Sequence, residues 1–203
     1  MDNLLPSYEA IMQTLELFNI QRITLEEFRN RFSLPWQEFF KGFGVSEIDL
    51  QTKKREHMER VIEMRKKSKP YISARRTMTW LHRNNLKIAI ISDDLKEEIL
   101  HTAIKHGLAT YINEILTSQD YEPKPSPEMI EAAMGIFNAQ KEETIFVGDT
   151  EQDIIAGKRA GVITVAYTGG WHSERRLKKQ CPKYSIDDLS RLRDIIQKNK
   201  FTV

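Results

Sequence analysis

The chain has 203 residues, of which 40% are hydrophobic and 30% charged, and a formal net charge of +2. That length suffices for one substantial core, or a core with a small second lobe. The near-balance of charge argues against nucleic acid or a membrane surface as a partner. No run approaches the length of a transmembrane helix, and the N-terminus lacks the basic-then-apolar pattern of a signal peptide. The single cysteine, Cys181, precedes Pro182 in a polar loop and allows no disulfide within one chain. A cytoplasmic location is therefore the expectation.

The first third reads as helix only. In "SYEAIMQTLELFN", Ile11, Leu15 and Phe18 recur at helical spacing. Thr24 and Glu27 form the pattern of a capping box. "SLPWQEFFKGFG" gives a short aromatic helix ending at Gly42 or Gly44, with Trp36, Phe39, Phe40 and Phe43 expected in a helical core. "SEIDLQTKKREHMERVIEMRKKSK" is a long charged helix that stops before Pro70. Its basic residues are interleaved with acids, so a solvated face is expected. Another helix runs from Ser73 to Asn84.

From Leu86 the pattern alternates. "KIAIIS" is a continuous apolar run, as in a strand covered on both faces. A helix from Leu95 to His106 follows, closed by Gly107. "EILTS" is a second strand, and Pro127 opens the helix "PEMIEAAMGIF". "TIFVG", the helix "EQDIIAGKRAG" and the strand "VITVAY" come next, and "DDLSRLRDIIQ" closes the chain as an amphipathic helix. Strand and helix at this spacing predict an α/β fold with a doubly wound, mostly parallel sheet.

Ligands in open α/β sheets bind at the carboxyl ends of the strands. The first strand delivers Ser92, followed by Asp93 and Asp94. Beyond the second stands Lys124, between Pro123 and Pro125, which restrict its backbone. The third delivers Gly148, Asp149 and Asp153. Gly148 permits a sharp turn, and Asp153, one helical turn after Asp149, points back to the same place. A hydroxyl and an ammonium suit phosphoryl oxygens. Paired carboxylates suit Mg²⁺, a hard ion that prefers oxygen.

"KIAIISDD", "TSQDYEPKPSPEMIEAAM" and "TIFVGDTEQDIIAGKRAGV" resemble motifs two, three and four of the haloacid dehalogenase superfamily, in order and spacing. The likeness spans roughly residues 70 to 170. The leading helices resemble the cap inserted in phosphoglycolate-phosphatase-like and β-phosphoglucomutase-like members. The resemblance implies a helical cap over residues 7–75 and a Rossmann-like core from residues 1–6 and 76–203. It implies a hydrolase of small phosphorylated metabolites that forms an aspartyl-phosphate with Mg²⁺. Ser92 and Lys124 would contact the phosphoryl group, and Asp149 and Asp153 would bind the metal.

Motif one of that family is an apolar strand ending in Asp-x-Asp-x-Thr. The best match in "MDNLLPSYEAI" puts Met1 at the first x and Asp2 at the second Asp, the general acid and base. Leu4 stands where Thr is usual, and the attacking Asp would fall one residue before Met1. The strand carrying it would lie between those ending at Ser92 and Gly148, so its loss is expected to leave unpaired backbone on both. Two readings follow. One is a shortened active enzyme, favoured because Ser92, Lys124, Asp149 and Asp153 all remain; the other is a non-catalytic relative that binds a phosphate ligand or a protein partner. The 203-residue chain itself is expected to show little or no phosphatase activity.

The remaining residues carry less. Thr150 and Glu151 read as structural, and Asp120 as a loop acid. His101 and His106 are five apart on a helix and share no face, which argues against a zinc site. Trp171, His172, Arg175 and Arg176 either rim the pocket or form a surface loop. A dehalogenase would not need "GDTEQD". A receiver domain would place its acids before its lysine, and no GxGxxG marks a dinucleotide site.

Overall fold

The strands form where the apolar runs stand. In the computed structural model, which describes residues 2–33 and 35–199, β1 is Ala89–Ser92, β2 Glu114–Thr117, β3 Ile145–Gly148 and β4 Ile163–Tyr167. A fifth strand, β5, spans Tyr184–Ile186. Helices alternate with them. They are α5 (Ala74–Arg83), α6 (Lys96–Lys105), α7 (Glu128–Phe137), α8 (Glu151–Arg159), α9 (Glu174–Lys179) and α10 (Leu192–Lys198). Ahead of these stand α1 (Leu4–Glu16), α2 (Leu25–Arg31), α3 (Trp36–Lys41) and α4 (Glu47–Arg65).

The chain divides into two compact units, Met1–Lys69 with Gly170–Ser173, and Pro70–Gly169 with Glu174–Val203. The expected junction after residue 75 thus falls at Pro70. The expected core segment 1–6 also differs: Leu4 is buried among the helices, and Asp2 forms an antiparallel bridge with Lys69.

In the helical unit, Met12, Leu15, Phe28 and Phe40 are fully buried. Phe39 is buried beside them, and Trp36 and Phe43 pack against the same cluster. Thr24 caps α2 by accepting the Glu27 N–H at 3.1 Å, as "TLEE" predicts. Ser46 caps α4 the same way for Asp49. The charged face of α4 is exposed, and three ion pairs run along the helix, Lys53–Glu56, Arg55–Glu59 and Glu63–Lys66, which are screened by water and contribute little.

In the α/β unit every ladder is parallel, and helices follow β1, β2, β3 and β4, giving the Rossmann-like, doubly wound class. The pairing makes two ladders, β1–β2 and β3–β4–β5. Ile91 of β1 and Phe146 of β3 pack on the same apolar cluster of Ile130, Ala156, Ala160 and Val162, which sets the two ladders side by side and puts a change of strand order between β1 and β3. Among the described residues no strand pairs with the second edge of either. Burial follows: β4 is buried throughout, while β1 and β3 are half-exposed at every position.

Candidate active site at the carboxyl edge

A reversal of strand order leaves a crevice at the carboxyl ends of the strands that flank it. At the end of β1, Ser92 Oγ accepts the Asp94 N–H at 3.1 Å. Asp93 turns toward the lysine loop, and its Oδ1 accepts the Lys124 N–H at 3.2 Å. At the end of β3, Thr150 is the N-cap of α8 and its Oγ accepts the Asp153 N–H at 3.2 Å. Asp153 answers as the other half of the capping box.

Asp153 organises the site. Its Oδ2 accepts the Asp149 N–H at 3.1 Å, the Thr150 N–H at 2.9 Å and the Thr150 hydroxyl at 2.7 Å. Its Oδ1 accepts the Lys124 ammonium at 2.8 Å. Three donors thus converge on Oδ2 and one on Oδ1, which leaves acceptor capacity on Oδ1. Gly148 makes the arrangement possible, because a Cβ there would stand 2.1 Å from Asp153 Cβ.

Both members of the pair are sheltered, with side chains 13% (Lys124) and 5% (Asp153) exposed. Burial alone would push the Asp153 carboxyl up, but the Lys124 ammonium and the Thr150 bonds outweigh it and hold the group below the usual carboxylate range. Burial would likewise push Lys124 down, yet Asp153, Asp93 and Asp149 together raise it. Asp93 Oδ2 lies 3.9 Å from Lys124 Nζ. Three carboxylates thus act on one ammonium.

The predicted residues Lys124, Asp149 and Asp153 are directly connected here, and Ser92 adjoins through Asp93. Asp2 belongs to the helical unit. Asp93 carries no assigned role in the sequence; its link to the lysine loop shows only in three dimensions. Arg159 was also missed, and its guanidinium donates to the Pro125 carbonyl at 2.9 Å, holding that loop from the end of α8.

Of the four residues expected at the pocket rim or in a surface loop, Arg176 does neither. It pairs with Glu151 through Nε at 3.0 Å and through Nη2, and Gln180 donates to the other Glu151 oxygen at 3.1 Å. Leu177, fully buried with Ile154 and Ala166, seats α9 on α8 beside this pair. Trp171 and His172 also depart from a surface loop: Trp171 packs on the aromatic core of the helical unit and His172 is buried. Glu151 is structural, as the sequence suggests.

The comparisons with known proteins agree with this architecture. The family model described as haloacid dehalogenase-like hydrolase matches residues 1–167. The chain is 33% identical over 141 residues to pyrophosphatase PpaX of Halalkalibacterium halodurans, covering 69% of this chain and 63% of that protein. It is 28% identical over 123 residues to phosphoglycolate phosphatase of Pseudomonas fluorescens, covering 60% of this chain and 45% of the relative. The matched stretch is thus under two thirds of either relative's length. Among solved structures, a haloacid dehalogenase-like protein of Agrobacterium tumefaciens superposes with a TM-score of 0.83 at 17% identity, over 97% of this chain and 92% of that one. With a family model covering most of the chain and its motif residues gathered at one sheet edge, the chain belongs to the haloacid dehalogenase-like hydrolase family.

Proposed function

We propose that this chain is the phosphoryl-binding and metal-binding part of a Mg²⁺-dependent phosphohydrolase for small phosphorylated metabolites. The observation that carries the reading is the sheltered Lys124–Asp153 pair at the strand-order reversal, with Asp93 and Asp149 beside it. An ammonium held there is a fixed positive charge for phosphoryl oxygens, and the Ser92 hydroxyl is a second donor at the same edge.

The donor chemistry fits Mg²⁺. Among the described residues no group of three His, Cys, Asp or Glu side chains forms a ready-made cation cage. Yet Asp93, Asp149 and Asp153 all act on the Lys124 ammonium, a concentration of carboxylate oxygens of the kind a divalent hard ion favours. Asp149 and Asp153 would hold it, Asp153 through Oδ1, which accepts only the Lys124 ammonium. When bound, the ion supplies positive charge against the phosphoryl oxygens and needs few protein ligands, as Mg²⁺ keeps several waters.

The chemistry is a double displacement. A carboxylate oxygen attacks phosphorus, the bond to the leaving oxygen breaks, and an aspartyl-phosphate forms. Asp2, as general acid, protonates the leaving oxygen. It then takes a proton from the water that attacks phosphorus, which frees phosphate and restores the carboxylate. In this scheme the attacking Asp would stand on a strand lying between β1 and β3. The names of the relatives make inorganic pyrophosphate and phosphoglycolate the first substrates to test.

The experiment compares the 203-residue chain with the same chain preceded by an apolar strand ending in Asp. Hydrolysis of p-nitrophenyl phosphate with Mg²⁺ by the extended protein, lost on changing that Asp to Asn, is the expected result. An extended protein that folds and hydrolyses no phosphate ester overturns the reading in favour of a non-catalytic relative.

A further inference from the structure

We propose that Trp171 is a positioning residue for Asp2; the inference deepens the reading of Asp2 as general acid and base. The loop that leaves β4 enters the helical unit for four residues, Gly170–Ser173. There the Trp171 ring packs 4.8 Å from Phe32 and 5.9 Å from Phe28, between ring centres. Its indole N–H donates to Asn3 Oδ1 at 3.0 Å. An indole nitrogen can only donate, so the amide oxygen of Asn3 faces it.

The neighbours of Trp171 are fastened as well. The Arg29 guanidinium donates to the His172 carbonyl at 3.0 Å. The Ser173 N–H donates to the Arg29 carbonyl at 3.2 Å, and the Ser173 hydroxyl donates to Asn30 Oδ1 at 2.6 Å. Trp171 is therefore a fixed point on α2 and not a swinging side chain.

Asn3 shows what that fixed point is for. It stands at the N-cap of α1, where an Asn side chain ordinarily accepts a backbone N–H of the first turn. Here it makes no such bond; its oxygen meets Trp171. One residue earlier, the Asp2 N–H donates to the Lys69 carbonyl at 2.8 Å. Asp2 is thus held from two sides, by Lys69 on its own backbone and by Trp171 through the adjacent side chain. An acid–base carboxyl must be placed within hydrogen-bond reach of its proton, and a small misplacement is expensive in rate.

The test uses Trp171→Phe, which keeps an aromatic ring against Phe28 and Phe32 and removes the N–H with part of the ring; Asn3→Ala removes the acceptor and leaves that packing intact. In the 203-residue protein, hydrogen exchange of the Asp2 amide should quicken about five- to tenfold, as for loss of one hydrogen bond, while the amides of α2 exchange as before. Asn3→Ala should do the same, and Asn3→Asp, which keeps an acceptor oxygen, should restore slow exchange. In the strand-extended protein, Trp171→Phe should lower kcat with KM unchanged. Unaltered Asp2 exchange in Trp171→Phe, or Asn3→Asp exchanging as fast as Asn3→Ala, overturns the proposal. An extended protein without turnover counts against the proposed function and leaves the exchange result to decide the role of Trp171.

Discussion

Lys124 and Asp153 meet at 2.8 Å with side chains almost withdrawn from water. They come from different βα connections, the lysine from the loop after β2 and the aspartate from the first turn of α8. The pair therefore ties the two ladders together at the edge where the order of strands reverses. Removing Lys124 strands the buried Asp153 carboxylate, and removing Asp153 takes away the nearest of the carboxylates on Lys124 together with the cap of α8; breaking such a pair costs about 3–5 kcal/mol. Lys124→Met and Asp153→Leu should each lower unfolding stability by that order in urea titration. The double variant should recover a good part of the loss, because no buried charge is left unpaired.

The same pair has a pH signature. Asp153 is held below its ordinary 3.8, so its contribution is full above that value and fades as pH falls through the depressed folded value. Lys124 is raised above its ordinary 10.5, so its contribution is full below that value and fades as pH rises through the raised one. Stability should therefore lose this contribution at both extremes and keep it between, and Asp153→Asn should remove the acid limb of the curve.

A second acid effect comes from the helical unit at higher pH. His57 is buried on α4, its Nδ1 3.0 Å from Thr14 Oγ, with the Trp36 ring 4.4 Å away. The Thr14 hydroxyl donates to the Ala10 carbonyl, and an Nδ1–H tautomer of His57 completes the contact by donating to Thr14 Oγ. Burial, with Arg60 adding to it, pushes the imidazole from 6.5 down to about 4. Between those values the unfolded chain takes up a proton that the folded chain refuses. Stability should fall with pH across that window, by about 3 kcal/mol in all. His57→Gln should flatten this limb in the 4 to 6.5 range and leave the Asp153 limb below it.

Close packing at Gly148 gives a steric test. A methyl group there would overlap Asp153 Cβ at 2.1 Å, and one at Gly157 would overlap Thr164 Cγ2 at 2.4 Å. Both substitutions to Ala should destabilise by about 1–3 kcal/mol. Only Gly148→Ala should also displace Asp153. Loss of the slow exchange of the Thr150 amide in Gly148→Ala, and its retention in Gly157→Ala, would distinguish them.

The brace on α8 should matter to a smaller degree. Arg176 and Glu151 are 15% and 23% exposed at their side chains, and a charge-assisted bond in such a place contributes about 2 kcal/mol. Arg176→Met should lower stability by that order in denaturant unfolding. A surface exchange such as Lys178→Met, at an exposed helical pair with Glu174, should change it by less than about 0.5 kcal/mol.

The parts of the fold that were legible in the sequence are those fixed by local chemistry. Four strands are continuous apolar runs, and the turns beside them carry Gly107, Pro127 and Gly148. The site residues were legible because each follows a strand. What escaped has little local signal. β5 is three residues long with one of them buried, too short to show a period. α9 has Leu177 as its only buried side chain, so its seat on α8 cannot be read from "ERRLKK". Trp171 reaches Asn3 across 168 positions, and His57 is buried from within a helix whose sequence reads as solvated. Asp93 resembles any helix-leading acid until the Lys124 backbone is seen to meet it.

Lys124, Asp149 and Asp153 are proposed to form a single site for a metal-linked phosphoryl group. The most direct measurement is an amide NMR titration of the 203-residue protein with Mg²⁺ and inorganic phosphate together. The account predicts that the Lys124, Asp149, Thr150 and Asp153 resonances shift in concert and saturably, and that Asp149→Asn abolishes the response. Shifts confined to other residues, or a response unchanged in Asp149→Asn, would contradict it.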